Sequence, residues 1–201
     1  MTRKKLVPFI NAENEMASSV VHLADRYSCQ GADGLYLYNF SGDDKSREEF
    51  FATIREAEKQ IDIPLMVGVY VSRFEDAKRA LYTGASQVVI RKALLPEEEE
   101  LQQIFERFGK NKLAIEIDMK VDFQTAQQLD ALYDKGFGTA ILKHVDTTKS
   151  FADTISGTRM KVLIRDGLVR NDLAELLSYD TVEAVLTNYF EEKDIYKAKR
   201  A

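Results

Sequence analysis

Short apolar runs alternate with amphipathic stretches from one end of the chain to the other, in a unit that repeats roughly every twenty-five residues. The clearest unit runs from Ile61 to Ile90. Pro64 opens an apolar run that ends near Val71, and Phe74, Ala77, Ala80 and Leu81 then recur at helical spacing. Gly84 sits where a helix stops, and Val88 to Ile90 restarts a buried strand. A strand–helix–strand unit of this kind implies parallel pairing through a right-handed crossover. In such sheets ligands bind at the C-terminal ends of the strands.

Followed along the chain, the pattern predicts eight strands near 5–11, 34–40, 64–71, 86–91, 112–118, 138–143, 160–165 and 182–187. Helices are predicted over 17–30, 46–60, 73–83, 97–108, 123–135, 170–178 and 189–199. The 147–157 link is too polar and too short for a full helix, which makes the sixth crossover the weak one. Gly31, Gly84, Gly109 and Gly136 each follow a helical run as a C′ residue does, with a strand a few residues later. Eight strands so connected predict a (β/α)8 TIM barrel forming one domain over residues 1–201. Such barrels typically need about 250 residues, so the loops here must be short. That economy falls on the face where barrel chemistry sits.

Composition narrows the partners more than the fold. A hydrophobic share of 45% in 201 residues suffices for one substantial core. The net charge of -5, with basic clusters only at Arg3-Lys4-Lys5 and Lys197-Ala198-Lys199-Arg200, argues against nucleic acid. Cys29 is the only cysteine, which excludes an intrachain disulfide and a Cys-rich zinc site, and suits a reducing cytoplasm. It is expected to be a buried helix residue. The first apolar stretch spans only about five residues, too short for a signal-peptide core or a membrane span. His22 and His144 are the only histidines and lie far apart in sequence, so no metal site is expected and His22 reads as an ordinary residue of the first helix. No cofactor is called for. Glu97 to Glu100, after Pro96, complements the positive end of a helix dipole.

Chemistry in a barrel belongs to the strand ends, and here they are unusually polar. Asp118 and Asp146 end strands 5 and 6 and can serve as general acid and base if their surroundings separate their proton affinities. The competing reading is an ion-pair network in which Asp118, Asp146 and Asp166 neutralise Arg91, Lys92, Lys143 and Arg165 and close the top of the barrel. Glycine-rich phosphate cradles are nearly absent. Gly68 and Gly167 stand alone, which leaves Arg91, Arg165 or Lys143 to hold a phosphate through side chains.

The text of several strands resembles the histidine-biosynthesis barrels, comprising the phosphoribosylformimino aminoimidazole carboxamide ribotide isomerase and the cyclase subunit of imidazole glycerol phosphate synthase. The resemblance is strongest from Gln60 to Lys120, through IPLMVGVYV, FEDA, GASQVVI and EIDMK, and extends to KLVPFIN and GADGLYLYNF in the first two strands. From about Phe123 onward periodicity alone carries it. Carried over by position, the family's strand 1 catalytic aspartate is Asn11, its strand 2 aspartate is Asn39, and its strand 5 aspartate survives as Asp118. The two phosphate-binding glycine runs correspond to Gly68 and to Arg165-Asp166-Gly167, Arg91 replaces the strand 4 Asn position, and Asp146 falls near the acidic stretch after strand 6. A neutral amide exchanges no protons at ordinary pH, so Asn11 removes half of a two-carboxylate mechanism. A shortened barrel of this kind also resembles the N-terminal domain that precedes a phosphoribosyl-AMP cyclohydrolase and phosphoribosyl-ATP diphosphatase in some bacteria.

What the resemblance implies divides three ways. The first reading is a degraded barrel acting structurally beside other histidine-biosynthesis enzymes, a fused C-terminal domain or a second copy of itself. The second is an enzyme of altered substrate that uses Asp118 and Asp146, with Arg91 or Arg165 on one phosphate. The third is a sensor that binds a phosphorylated ribotide or sugar at the strand ends without chemistry.

Overall fold

The computed structural model describes residues 4–118, 125–143, 153–166 and 173–188. Within them the chain alternates as predicted: β1 (Lys5–Asn11), α1 (Ala17–Cys29), β2 (Leu35–Asn39), α2 (Asp44–Glu58), β3 (Leu65–Val69), α3 (Phe74–Tyr82), β4 (Gln87–Arg91), α4 (Glu98–Phe108), β5 (Leu113–Asp118), α5 (Thr125–Lys135), β6 (Thr139–Lys143), β7 (Lys161–Asp166), α6 (Leu173–Ser178) and β8 (Val182–Thr187). All eight strands pair in parallel and in sequence order, and β8 returns to β1 to close the barrel. Residues 153–155 are helical, whereas 144–152 and the predicted helix over 189–199 lie outside the described residues. No helix among the described residues is long and apolar enough to cross a membrane.

The period-2 alternation of each strand sorts its side chains between two cores. One set packs between strands and helices and includes Leu6, Leu37, Val67, Ile90, Ile115, Leu142, Ile164 and Val185. The other fills the barrel itself: Val7, Phe9, Tyr36, Tyr38, Met66, Val89, Ala114, Ile141, Leu163, Ala184 and Leu186. The lumen is therefore a packed interior rather than a pore, as barrels of eight strands require. In β8 the alternation slips. The ladder runs Val162↔Val182 and then Leu163↔Ala184, leaving Glu183 as an extra residue. This bulge lets Val182 and Val185 face the helices while Ala184 and Leu186 face the lumen.

Helix ends follow from local chemistry. The Asp43 carboxylate accepts the Ser46 N–H at 2.8 Å, so α2 begins two residues before the boundary that periodicity predicts. Asp76 accepts from the backbone N–H of Ser72 and Arg73 and from the Ser72 hydroxyl, and pairs with Arg47 of α2. Burial pushes the Asp76 carboxyl up, but those hydrogen bonds and the Arg47 charge outweigh it and hold the carboxyl below its ordinary value. Glu100, one of the acidic first-turn residues of α4, accepts the Phe74 N–H at the start of α3. The glycines expected beyond helix ends all take positive φ. At Gly136 the requirement is double: φ is +121°, and a Cβ would stand 2.5 Å from the Phe105 ring. Cys29, expected to be buried, is instead exposed at the last position of α1. The nearby Asp25 charge pushes its thiol up.

The seam between first and last strands carries its own clasp. The Lys4 ammonium donates to the carbonyls of Tyr179, Asp180 and Val182 at 2.7, 3.2 and 2.6 Å.

Candidate functional site at the C-terminal mouth

The side chains that face the upper lumen come from the C-terminal ends of the strands. On β5, Ile115 and Ile117 pack outward, so Ala114, Glu116 and Asp118 point inward. Glu116 has no solvent exposure at all. A carboxylate so placed must be paired. Arg91, its neighbour in the β4–β5 ladder, donates from Nε at 3.2 Å. Arg165 of β7 donates from Nη1 at 2.9 Å, and the Tyr36 hydroxyl of β2 donates at 3.0 Å. Arg165 also donates to the Tyr38 hydroxyl.

Aromatic rings complete the cluster. The Arg165 guanidinium stacks over Phe9 at 4.3 Å and Tyr38 at 4.4 Å, and Arg91 lies over Phe40 at 3.8 Å. Guanidinium is weakly hydrated and planar, so it tolerates this setting where an ammonium would not. Tyr36, Tyr38 and Phe40 follow one another at ring separations of 5.4 and 5.7 Å. Burial, and then the Glu116 charge, push the Tyr36 phenol well above its ordinary range, so it remains a donor to Glu116 at every ordinary pH. Burial raises Tyr38 as well.

Gly68 faces this column. A Cβ there would stand 2.7 Å from the Tyr36 hydroxyl, 2.7 Å from the Tyr38 Cβ and 2.8 Å from Phe40. The space a backbone cradle would offer a ligand is filled by the protein's own rings.

The other strand-end residues are dispersed. Asp118 stands at the rim with 62% of its side chain exposed, 3.5 Å from the Lys143 ammonium. That pair belongs to the ion-pair reading, but its centre is Glu116, which that reading did not include. Asn11 accepts the Glu13 N–H at 2.9 Å, and Glu13 in turn accepts the Phe40 N–H at 3.1 Å, folding the first loop onto the end of β2. Asn39 points away from the lumen: it donates to the Ser46 hydroxyl and accepts the Ser41 N–H, at the start of α2. Asp146 and Gly167 lie outside the described residues.

Glu116 was within reach of sequence reasoning. A glutamate in an otherwise apolar strand, two residues from Ala114 and two from Asp118, must share their face, and an inward carboxylate demands cations on neighbouring strands. Arg91 and Arg165 supply them.

The closed parallel barrel of eight strands alternating with helices, its C-terminal mouth set with arginines and carboxylates, defines the class: a (β/α)8 barrel. A model of the histidine biosynthesis protein family matches residues 6–167, and the chain belongs to that family. Among curated relatives, imidazole glycerol phosphate synthase subunit HisF of Thermobifida fusca is 32% identical over 117 residues, covering 58% of this chain and 46% of the relative. The protein of the same name from Myxococcus xanthus is 36% identical over 102 residues, covering 51% and 40%. The chain thus spans about half the length of the curated relatives it matches. Among solved structures, the tryptophan synthase alpha chain of Legionella pneumophila superposes with a TM-score of 0.67 at 15% identity, covering 92% of this chain and 80% of that one. That likeness is one of fold alone.

Proposed function

We propose that this histidine-biosynthesis barrel no longer runs its family's chemistry and serves the pathway as a structural or interaction domain. The observation that carries the reading is Glu116, wholly buried and bonded to Arg91, Arg165 and Tyr36. Arg91 and Arg165, the two arginines available to a phosphate, are both turned toward an internal carboxylate. An incoming phosphate would have to compete with that carboxylate while leaving it buried and unpaired, which costs several kcal/mol. Asn11 adds to this, since an amide at the strand 1 position neither takes nor gives a proton. The name of the relatives, a synthase subunit, accords with a role inside an assembly. Calorimetric titration with the bisphosphorylated aminoimidazole ribotide tests the reading. No saturable heat and no turnover are expected; saturable binding with product formation would remove it.

A second reading is favoured by one observation: Asp118, at the position of the family's strand 5 aspartate, is exposed at the rim with Lys143 beside it. An enzyme or sensor could use this pair, with Asp146 as second carboxylate, on a phosphorylated ribotide or sugar. A ligand of that class at 100 times its dissociation constant adds about 2.7 kcal/mol of stability. A panel of phosphorylated metabolites that leaves the melting temperature unmoved would exclude it, and a shift lost in Asp118→Asn would establish it.

A further inference from the structure

On the outer surface α1 and α2 run side by side and leave between them a groove of about 720 Å3. Val20, Ala24 and Tyr27 on α1 and Phe50, Phe51, Ile54 and Ala57 on α2 are buried in the core. The groove follows the outer edge of the contact between the two helices: Thr53 in its floor is itself buried, Val21 packs partly against the core, and Ala52 is exposed. Small residues on a helix face let another helix approach closely.

The walls are acidic: Glu49 and Glu56 on α2, Asp25 on α1. Glu49 and Glu56 are seven residues apart, two helical turns on one side of α2. Glu49 meets Lys45 at 3.8 Å and Glu56 meets Lys59 at 2.8 Å, exposed pairs on one helix that are readily exchanged for another partner. A second copy of the chain is a poor occupant. A two-fold axis across α2 between Ala52 and Thr53 would set Glu49 of one copy against Glu56 of the other, and like charges so opposed disfavour symmetric association.

We propose that the α1–α2 groove is a docking site for an amphipathic helix of another protein, with a small or apolar stripe flanked by two basic residues seven positions apart. The stripe covers Ala52 and the exposed part of Val21 above the buried Thr53, and the basic pair meets Glu49 and Glu56 at the same time. This is helix-in-groove recognition with the charges setting register. It gives a surface to the interaction role proposed above and rests on that reading for its biological sense, but the mouth takes no part in it. Turnover of the ribotide would therefore remove the earlier reading without touching this one.

The test is fluorescence polarisation with the full chain and a labelled helical peptide carrying an Ala/Leu stripe and lysines at i and i+7. A control peptide has glutamates at those two positions. Saturable binding of the basic peptide is expected, with affinity at least about tenfold weaker for the acidic one, a difference of about 1.4 kcal/mol. The double variant Glu49→Lys/Glu56→Lys should reverse that preference. Both positions are solvent-exposed, and an unchanged thermal melt confirms that the variant folds. Absence of saturable binding, equal binding of both peptides, or a dimer in sedimentation that the double variant dissolves would each overturn the proposal.

Discussion

The two mouths of the barrel carry the same arrangement of charge in opposite surroundings. At the C-terminal mouth Glu116 lies between Arg91 and Arg165; at the N-terminal mouth Glu183 lies between Lys5 at 2.9 Å and Lys161 at 4.0 Å. Glu116 is sealed from solvent, whereas Glu183 keeps 23% of its side-chain surface and its two lysines keep 46% and 59%. Water screens the lower trio and lets its long side chains move, so its members are individually dispensable. At the upper mouth Glu116 and Arg165 have exchanged hydration for fixed partners, with Arg91 holding them from the rim at 28% exposure, and loss of a cation leaves the buried carboxylate unsatisfied. The count of ion pairs is thus uninformative, and burial decides what each one means.

Breaking the upper trio should have the largest effect. Arg165→Met leaves Glu116 buried with one cation fewer and frees the Tyr38 hydroxyl, and about 3–5 kcal/mol of unfolding free energy should be lost in urea titration. If the loss is no greater than that from a lysine at the lower mouth, the two ends are equivalent and the contrast collapses.

Tyr36→Phe removes only a neutral donor to the same carboxylate, and about 1.5–3 kcal/mol should be lost. This variant also carries a pH signature. Because the Tyr36 phenol is raised in the folded state, its contribution is whole below the unfolded phenol value of about 10 and falls as pH rises above it. The phenylalanine variant should therefore lose less stability between neutral and strongly alkaline pH than the parent; parallel curves would mean that the phenol is not held in its protonated form.

Gly68→Ala probes the aromatic wall rather than the charges. Its methyl meets Tyr36, Tyr38 and Phe40 well inside contact distance, and overpacking of this kind costs about 1–3 kcal/mol. An unaffected melt would show that the column yields and that the glycine leaves usable space for a ligand. The smallest effect belongs to the lower mouth. Lys161→Met should change stability by less than about 1 kcal/mol, and that change should shrink further in high salt.

Much of the fold was legible in the sequence because barrel strands and helices announce themselves by different periods. All eight strands fall where the apolar runs predict them, with β3 shorter at both ends than the 64–71 run suggests. Boundaries depended on partners that periodicity does not show: α2 starts early because of a hydrogen bond from Ser46 to Asp43, outside the apolar pattern. Cys29, expected to be buried, is exposed, because the last position of a helix need not lie on the face that packs against the strands. At the site, the strand-end pattern marks Arg91 and Arg165 but not their partner: the decisive carboxylate, Glu116, sits two residues before the end of its strand, where facing and ladder register together determine what it touches. Asn39 shows the converse, a strand-end residue whose side chain turns outward to α2 and never meets the lumen.

The Lys4 clasp bears on the order of events during folding. Its ammonium and the Val182 carbonyl are 178 residues apart, so the seam between β8 and β1 cannot form until every strand through β8 has left the ribosome. Until then β1 is an open sheet edge, and the rings of Tyr36 and Tyr38 line a half-barrel trough that the later strands have yet to cover. A contact that forms only after the folding transition state acts as a latch: it slows escape from the native state without hastening arrival. Replacing Lys4 should therefore steepen the loss of native protein over time, visible in the unfolding limb of a chevron, while the refolding limb stays where it was.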